Sequence, residues 1–168
     1  MSTRPWTLPT YGKSAILSPC GVYRYVLERW WGTNPDALVL LGLNPSKADA
    51  EIDDPTIRRC VDFADQLGFG GLVMINAYAF RATYPRDMKA APDPIGPEND
   101  QYLTRHLAAV PWAVCAWTDH VLPVRRDEIL RLFAEVGCEP RVFGLTKSGA
   151  PRHPLYLPRE ARPVRWAR

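Results

Sequence analysis

ALVLLGLNPS, at positions 37–46, decides the fold of this 168-residue chain. Five apolar residues run without interruption into Gly42-Leu43-Asn44-Pro45-Ser46. An unbroken apolar run of this length predicts a strand buried on both faces, the pattern of a parallel sheet covered by helices. Gly42 lets the chain leave the sheet in close packing, and Pro45 cannot continue a ladder. Asn44 is thereby placed just past the carboxyl end of a buried strand, where open α/β sheets hold their ligands. Asn-Pro is also a common turn initiator, so Asn44 has a structural reading beside the functional one.

On the amino-terminal side, residues 1–19 form a proline-containing lead-in, and CGVYRYVLERWW at 20–31 has the aromatic and β-branched content of a strand. The turn residues GTNPD at 32–36 then predict an antiparallel hairpin between 20–31 and 37–43. On the carboxyl-terminal side, Asp54-Pro55 reads as a helix cap followed by proline at the first helical position. Ile57, Val61, Ala64 and Leu67 give that helix an apolar face, and Gly68 ends it. LVMI at 72–75 is a second buried run, ending at Asn76. A proline-rich loop is expected over 83–97, a helix over 97–109, a strand over 112–117, a helix over 125–136 and a strand over 141–145. A loop follows to 157, then a basic, proline-containing tail over 158–168.

Strands alternating with amphipathic helices predict a single α/β domain over 1–168, its core at 20–157 and its termini extended. The expected form is a three-layer α/β/α sandwich, with a mostly parallel four-stranded sheet and one antiparallel strand at its N-terminal side. With 46% hydrophobic residues the chain can bury a sizeable core. Its apolar runs are too short to span a bilayer and its start lacks an apolar signal-peptide segment, so no membrane partner and a cytoplasmic location are expected. Cys20, Cys60, Cys115 and Cys138 stand far apart beside apolar segments, which predicts buried free thiols and no metal site. Seventeen Arg against four Lys reflects either genomic composition or phosphate contacts.

Parallel crossovers bring the strand ends to one edge, and the residues just beyond them are Asn44, Asn76, Trp117 and the segment holding His153. Two amides, aromatic rings and an imidazole, without a carboxylate cluster or a glycine-rich phosphate loop, suit a flat amide-bearing ligand such as a nucleobase.

CGVYRY, LGLNPSKADAEIDDPTIRRC, NAYAFRAT, PIGPEND and GLTKSGAPRHPLYL occur in that order across residues 20–157. These five segments resemble those of the Domain of Unknown Function 1643 family. More remotely, the layout resembles the uracil-DNA glycosylase superfamily. Gly42-Leu43-Asn44-Pro45 is similar to its Gly-x-Asn/Asp-Pro motif, Asn76 to its base-reading asparagine and His153-Pro154 to its His-Pro motif. Ser46 stands where the mismatch-specific branch has glycine, and Leu155-Tyr156 where Ser-Pro is common. The resemblance implies a glycosylase-like fold, a base-sized pocket, no cofactor, and a nucleobase, nucleotide or nucleic acid as partner.

Within that resemblance, the Asn44 carbonyl is expected to orient a water, Asn76 to read a base edge, and His153 to stabilise a departing base. Asp53 is the carboxylate expected to be free for general-base work, because Asp54 is needed as the cap. Gly42, Leu43, Pro45, Ser46, Tyr78, Phe80, Arg81 and Trp117 are the expected substrate contacts, with Tyr78 and Phe80 either stacking on a base or lying in the core. Arg58 and Arg59 either meet a phosphate or form a solvated helix face. N-glycosidic hydrolysis is the expected chemistry. Its alternatives are another reaction on a modified base or nucleotide, and a non-catalytic nucleobase or nucleic-acid binding module.

Overall fold

The computed structural model describes residues 12–167, and within them seven strands form one mixed sheet. In chain order the elements are β1 (Gly12–Leu17), β2 (Arg24–Trp30), β3 (Ala37–Gly42), α1 (Pro55–Gln66), β4 (Gly71–Asn76), α2 (Pro85–Ala90), α3 (Asn99–Leu107), β5 (Trp112–Cys115), α4 (Pro123–Val136), β6 (Glu139–Val142) and β7 (Val164–Arg165). Short 3-10 turns cover Thr118–His120 and Pro154–Tyr156. The spatial order is β1-β2-β4-β3-β5-β6-β7. β3 runs parallel to β4 and β5, and β5 parallel to β6, whereas β1, β2 and β7 pair antiparallel.

The two apolar runs at the centre are buried along their whole length because both faces of the sheet are covered. Period-two alternation divides them between two cores. Leu38, Leu40, Leu72, Met74 and Val114 meet Ile57, Cys60, Phe63 and Ala64 of α1. Val39, Leu41, Val73, Ile75 and Cys115 meet Leu103 and Leu107 of α3 and Ile129 and Phe133 of α4 on the other face. α1 starts as expected, with the Asp54 carboxylate accepting from the Ile57 N–H at 2.9 Å and Pro55 in the first turn. Its buried face is rotated from the one read in the sequence: Cys60 and Phe63 lie in the core, and Val61 and Leu67 are only half-buried.

The expected hairpin between 20–31 and 37–43 does not form. β2 pairs with β1 on one side and with β4 on the other. Residue 70 is inserted where the hairpin would close: the Trp31 N–H donates to the Gly70 carbonyl, and the Gly70 N–H to the Asp36 carbonyl. The all-apolar β3 gains most from a central place between two parallel neighbours, and β2, which carries Arg24, Glu28 and Arg29, lies nearer the edge. The parallel strands number four, β4-β3-β5-β6, but the sheet is larger than expected: three antiparallel strands, β1, β2 and β7, rather than one, flank them and make seven in a mixed sheet. β1 falls within the expected lead-in, whose first eleven positions lie outside the described residues. α2 occupies part of the expected loop at 83–97, and β7 lies in the expected extended tail. No described helix is long and apolar enough to cross a membrane. Cys60, Cys115 and Cys138 are buried free thiols, but Cys20 is exposed, because the turn that precedes β2 lies outside the sheet.

Trp30 faces Gly71 across the β2–β4 ladder, and a Cβ on residue 71 would collide with the indole ring. Gly71→Ala is therefore expected to destabilise the protein by about 1–3 kcal/mol through overpacking, read as a lower urea midpoint. Had β2 paired with β3, the same change would be neutral or stabilising.

Candidate functional site

Beyond their carboxyl ends β3 and β4 stay joined. The Ala77 and Tyr78 N–H groups donate to the Gly42 and Leu43 carbonyls at 2.9 and 3.0 Å, and the Ala82 N–H to the Pro45 carbonyl at 2.9 Å. Asn44 locks this junction. Its Nδ2 donates to the Pro45 and Ala82 carbonyls at 2.9 Å each, with Phe80 O at 3.4 Å. Both amide protons are thus committed to the backbone, and only Oδ1 is left for other work.

Gly42 has a different task. A Cβ there would stand 2.9 Å from Asn76 Oδ1 and 2.7 Å from Met74 Cε, so the absence of a side chain is what admits the Asn76 amide. Asn76 is 1% exposed and its Nδ2 has no hydrogen-bond partner. Its own main-chain carbonyl is satisfied by Asn99 Nδ2 at 3.0 Å. A sealed donor without an acceptor costs about 1–3 kcal/mol, so such a group calls for an explanation.

Arg24 reaches the same region through a β-bulge. Ile16 pairs with Val26 and Leu17 with Arg24, so Tyr25 is an extra residue in β2. Tyr25 and Val26 both face the α3–α4 core, which turns Arg24 to the α1 side. Arg24 is 2% exposed, donates Nη1–H to the Ala48 carbonyl at 2.5 Å, and has an Nε without a partner. Burial pushes its guanidinium down to about 10, against an opposing pull from Asp54, so it remains a cation at neutral pH.

These groups line a cavity of about 380 Å³ at the carboxyl ends of the parallel strands, within the size range of small-ligand sites. Gly42 at the end of β3, Leu43, Asn44 and Ser46 after it, Asn76 on β4, Trp117 after β5 and His153 all line it. The His153 Nδ1 accepts from the Leu155 N–H at 3.3 Å, which puts its proton on Nε2. Burial holds this imidazole below its ordinary value, with the Asp54 carboxylate opposing, so the ring is neutral at pH 7. Thr118, another lining residue, has φ 61, a left-handed conformation rare for a β-branched side chain. Its N–H is pinned to the Pro151 carbonyl at 2.7 Å, which ties the strand end to the His153 loop.

Other expected contacts lie elsewhere. Asp53 pairs with Arg29 Nε at 2.7 Å and Lys13 Nζ at 3.0 Å. Burial alone would raise its carboxyl, but those two donors outweigh burial and hold it below the usual range. Its neighbour Asp54 keeps the cap and also lines the cavity, so the carboxylate expected to be free is tied up and the cap is the one that faces the site. Arg58 donates to the Asp53 carbonyl. Arg59 donates to the Leu157 carbonyl and lies over the Phe63 ring; neither lines the cavity. Tyr78 is in the core, its hydroxyl accepting from the Leu122 N–H, and Phe80 packs edge-on against Tyr23. Arg81 donates to the Gly21 carbonyl, and Pro45 is buried; neither lines the cavity. Among the described residues no cluster of three or more His, Cys, Asp or Glu could hold a metal ion.

A family model described as a protein of unknown function, DUF1643, matches residues 24–155, more than half of the chain. The chain belongs to this family. The match begins at Arg24 and ends at Leu155, both of which line the cavity of this DUF1643 chain. No curated protein and no solved structure matches it.

Asp53 is a structural partner of Arg29, which is only 3% exposed. Asp53→Asn is expected to cost about 1–3 kcal/mol, the range for losing a hydrogen bond to a buried charge. Because the folded carboxyl titrates below its unfolded value of about 3.9, the pair's stabilisation is fully present above that pH. It is lost as pH falls through the folded value. Urea titrations from pH 7 to 2 are expected to show wild type and variant converging at the acid end.

Proposed function

We infer that the cavity binds the base of a nucleotide and hydrolyses its N-glycosidic bond. The observation that carries this is the buried Asn76 amide in the cavity wall, for which Gly42 leaves room, with Nδ2 unpartnered among the described residues. One amide offers a donor and an acceptor side by side, the complement of a pyrimidine O4/N3–H edge. The remote likeness of Gly42-Leu43-Asn44-Pro45, Asn76 and His153-Pro154 to glycosylase motifs supports the same assignment.

In this reaction a water oxygen bonds to C1′ as the bond from C1′ to the base nitrogen breaks. Asn44 Oδ1, the part of that side chain not used by the backbone, orients the water. Asp54 takes the water's proton, since it is the only carboxylate among the described residues that line the cavity. The electron pair leaves on the base, where Asn76 and the Nε2–H of neutral His153 stabilise the developing charge. A nucleobase-binding module is the second reading. It is favoured by the commitment of both Asn44 amide protons to backbone carbonyls, a turn role that needs no reaction.

Two substitutions separate binding from turnover. Asn76→Asp replaces the donor by a carboxylate, so affinity for a pyrimidine nucleotide is expected to fall about tenfold to a hundredfold. Asp54→Asn keeps an acceptor for the helix cap, so folding and affinity hold while base release slows by about 10²–10⁴-fold. Calorimetry and base release from a labelled nucleotide panel read the two effects. Tight binding with no release by wild type would select the binding module, and unchanged affinity in Asn76→Asp would remove the base-reading role.

A further inference from the structure

Three arginines are buried among the described residues, and they are not alike. Arg29 pairs with Asp53, and Arg125 pairs with Asp100 and Glu128. Arg24 forms no ion pair with a carboxylate among the described residues, although the Asp54 charge acts on it; its Nη1 donates to one backbone carbonyl, and its buried Nε has no partner among them. A buried charge is ordinarily paired, because desolvation is otherwise uncompensated. Here the bulge at Tyr25 is what turns this side chain out of the opposite core and into the cavity wall. The unpaired cation and the unpaired Asn76 donor line one cavity, together with the hydroxyl side chains Ser46 and Thr56.

We propose that the ligand is a nucleoside carrying a terminal phosphate, held by Arg24 while its base lies at Asn76. This rests on the nucleobase assignment above and adds the phosphate to it. A guanidinium offers parallel N–H donors that fit two phosphate oxygens, and the anion supplies the direct ion pair that Asp54 and Asp49, which act on Arg24 only at a distance, do not make. The phosphate is a terminal monoester because Arg24 is 2% exposed. A bridging diester would need two chain exits past it, whereas a monoester ends there.

Thermal-shift and calorimetric titrations of the full chain with uridine 5′-monophosphate, uridine, an unphosphorylated uridine trinucleotide and inorganic phosphate test this. The monophosphate is expected to bind at least tenfold more tightly than uridine and than the trinucleotide. That preference disappears in Arg24→Gln and is partly kept in Arg24→Lys. Equal affinity for uridine and its monophosphate would overturn the phosphate assignment and leave the base pocket standing. A trinucleotide as tight as the monophosphate would overturn the terminal-phosphate assignment. Inorganic phosphate that raises the Tm of wild type but not of Arg24→Gln, with no response to any uridine compound, would sustain Arg24 as an anion site and remove the nucleobase reading. No response to any probe would overturn both. The comparison among ligands of wild type keeps the test valid if Arg24→Gln does not fold.

Discussion

The close approach of Asn76 to the bare backbone of Gly42 is the constraint on which the site depends. The two residues are partners in the parallel β3–β4 ladder, and a side chain at 42 would occupy the place of the Asn76 amide. Several features hold the two strand ends in that register. The Gly42 and Leu43 carbonyls receive the N–H groups that follow β4, the Asn44 amide clamps the next turn, and Asn99 satisfies the Asn76 carbonyl. The backbone around Asn76 is thus saturated while its buried side-chain donor is left without an acceptor among the described residues. A group positioned so rigidly and yet unpaired is what a preorganised recognition site requires.

The electrostatics of the cavity are built on the same frame. Asp54 sits at the start of α1, where its carboxylate is needed as a cap and is fixed in place by that need. Arg24 is delivered by the bulge in β2, and His153 is held neutral by burial and by the N–H of Leu155. A cation, a carboxylate, a neutral imidazole and an amide thus face one space of small-ligand size. The bulge and the left-handed Thr118 are local departures from regular structure, and both lie where the chain enters or leaves the cavity wall. Irregularities of this kind persist where the surrounding fold over-determines them.

Much of this was legible in the sequence, for identifiable reasons. The runs at 37–41 and 72–75 could only be strands buried on both faces, and Asp54-Pro55 to Gly68 carried its own start and stop signals. Those elements place Asn44 and Asn76 at one edge, and the strand expected at 141–145 brings the loop that holds His153 to it. What was not legible depends on long-range pairing. Nothing in GTNPD reveals that Gly70 intervenes between β2 and β3, and nothing in VYRYV reveals that Tyr25 is an extra residue, so Arg24 was missed. The choice between Asp53 and Asp54 turned on Arg29 and Lys13, which lie 24 and 40 positions away. Tyr78 and Phe80 had aromatic character that suits either a base or a core, and packing decided for the core.

The most direct test of the central claim is a ¹⁵N–¹H titration that follows the Asn76 side-chain amide and the Arg24 Nε–H as uridine 5′-monophosphate is added. Both groups lack partners among the described residues. Both resonances are expected to move together along one binding curve, downfield as each donor gains an acceptor. Resonances that stay fixed while the nucleotide saturates a different surface would contradict the account.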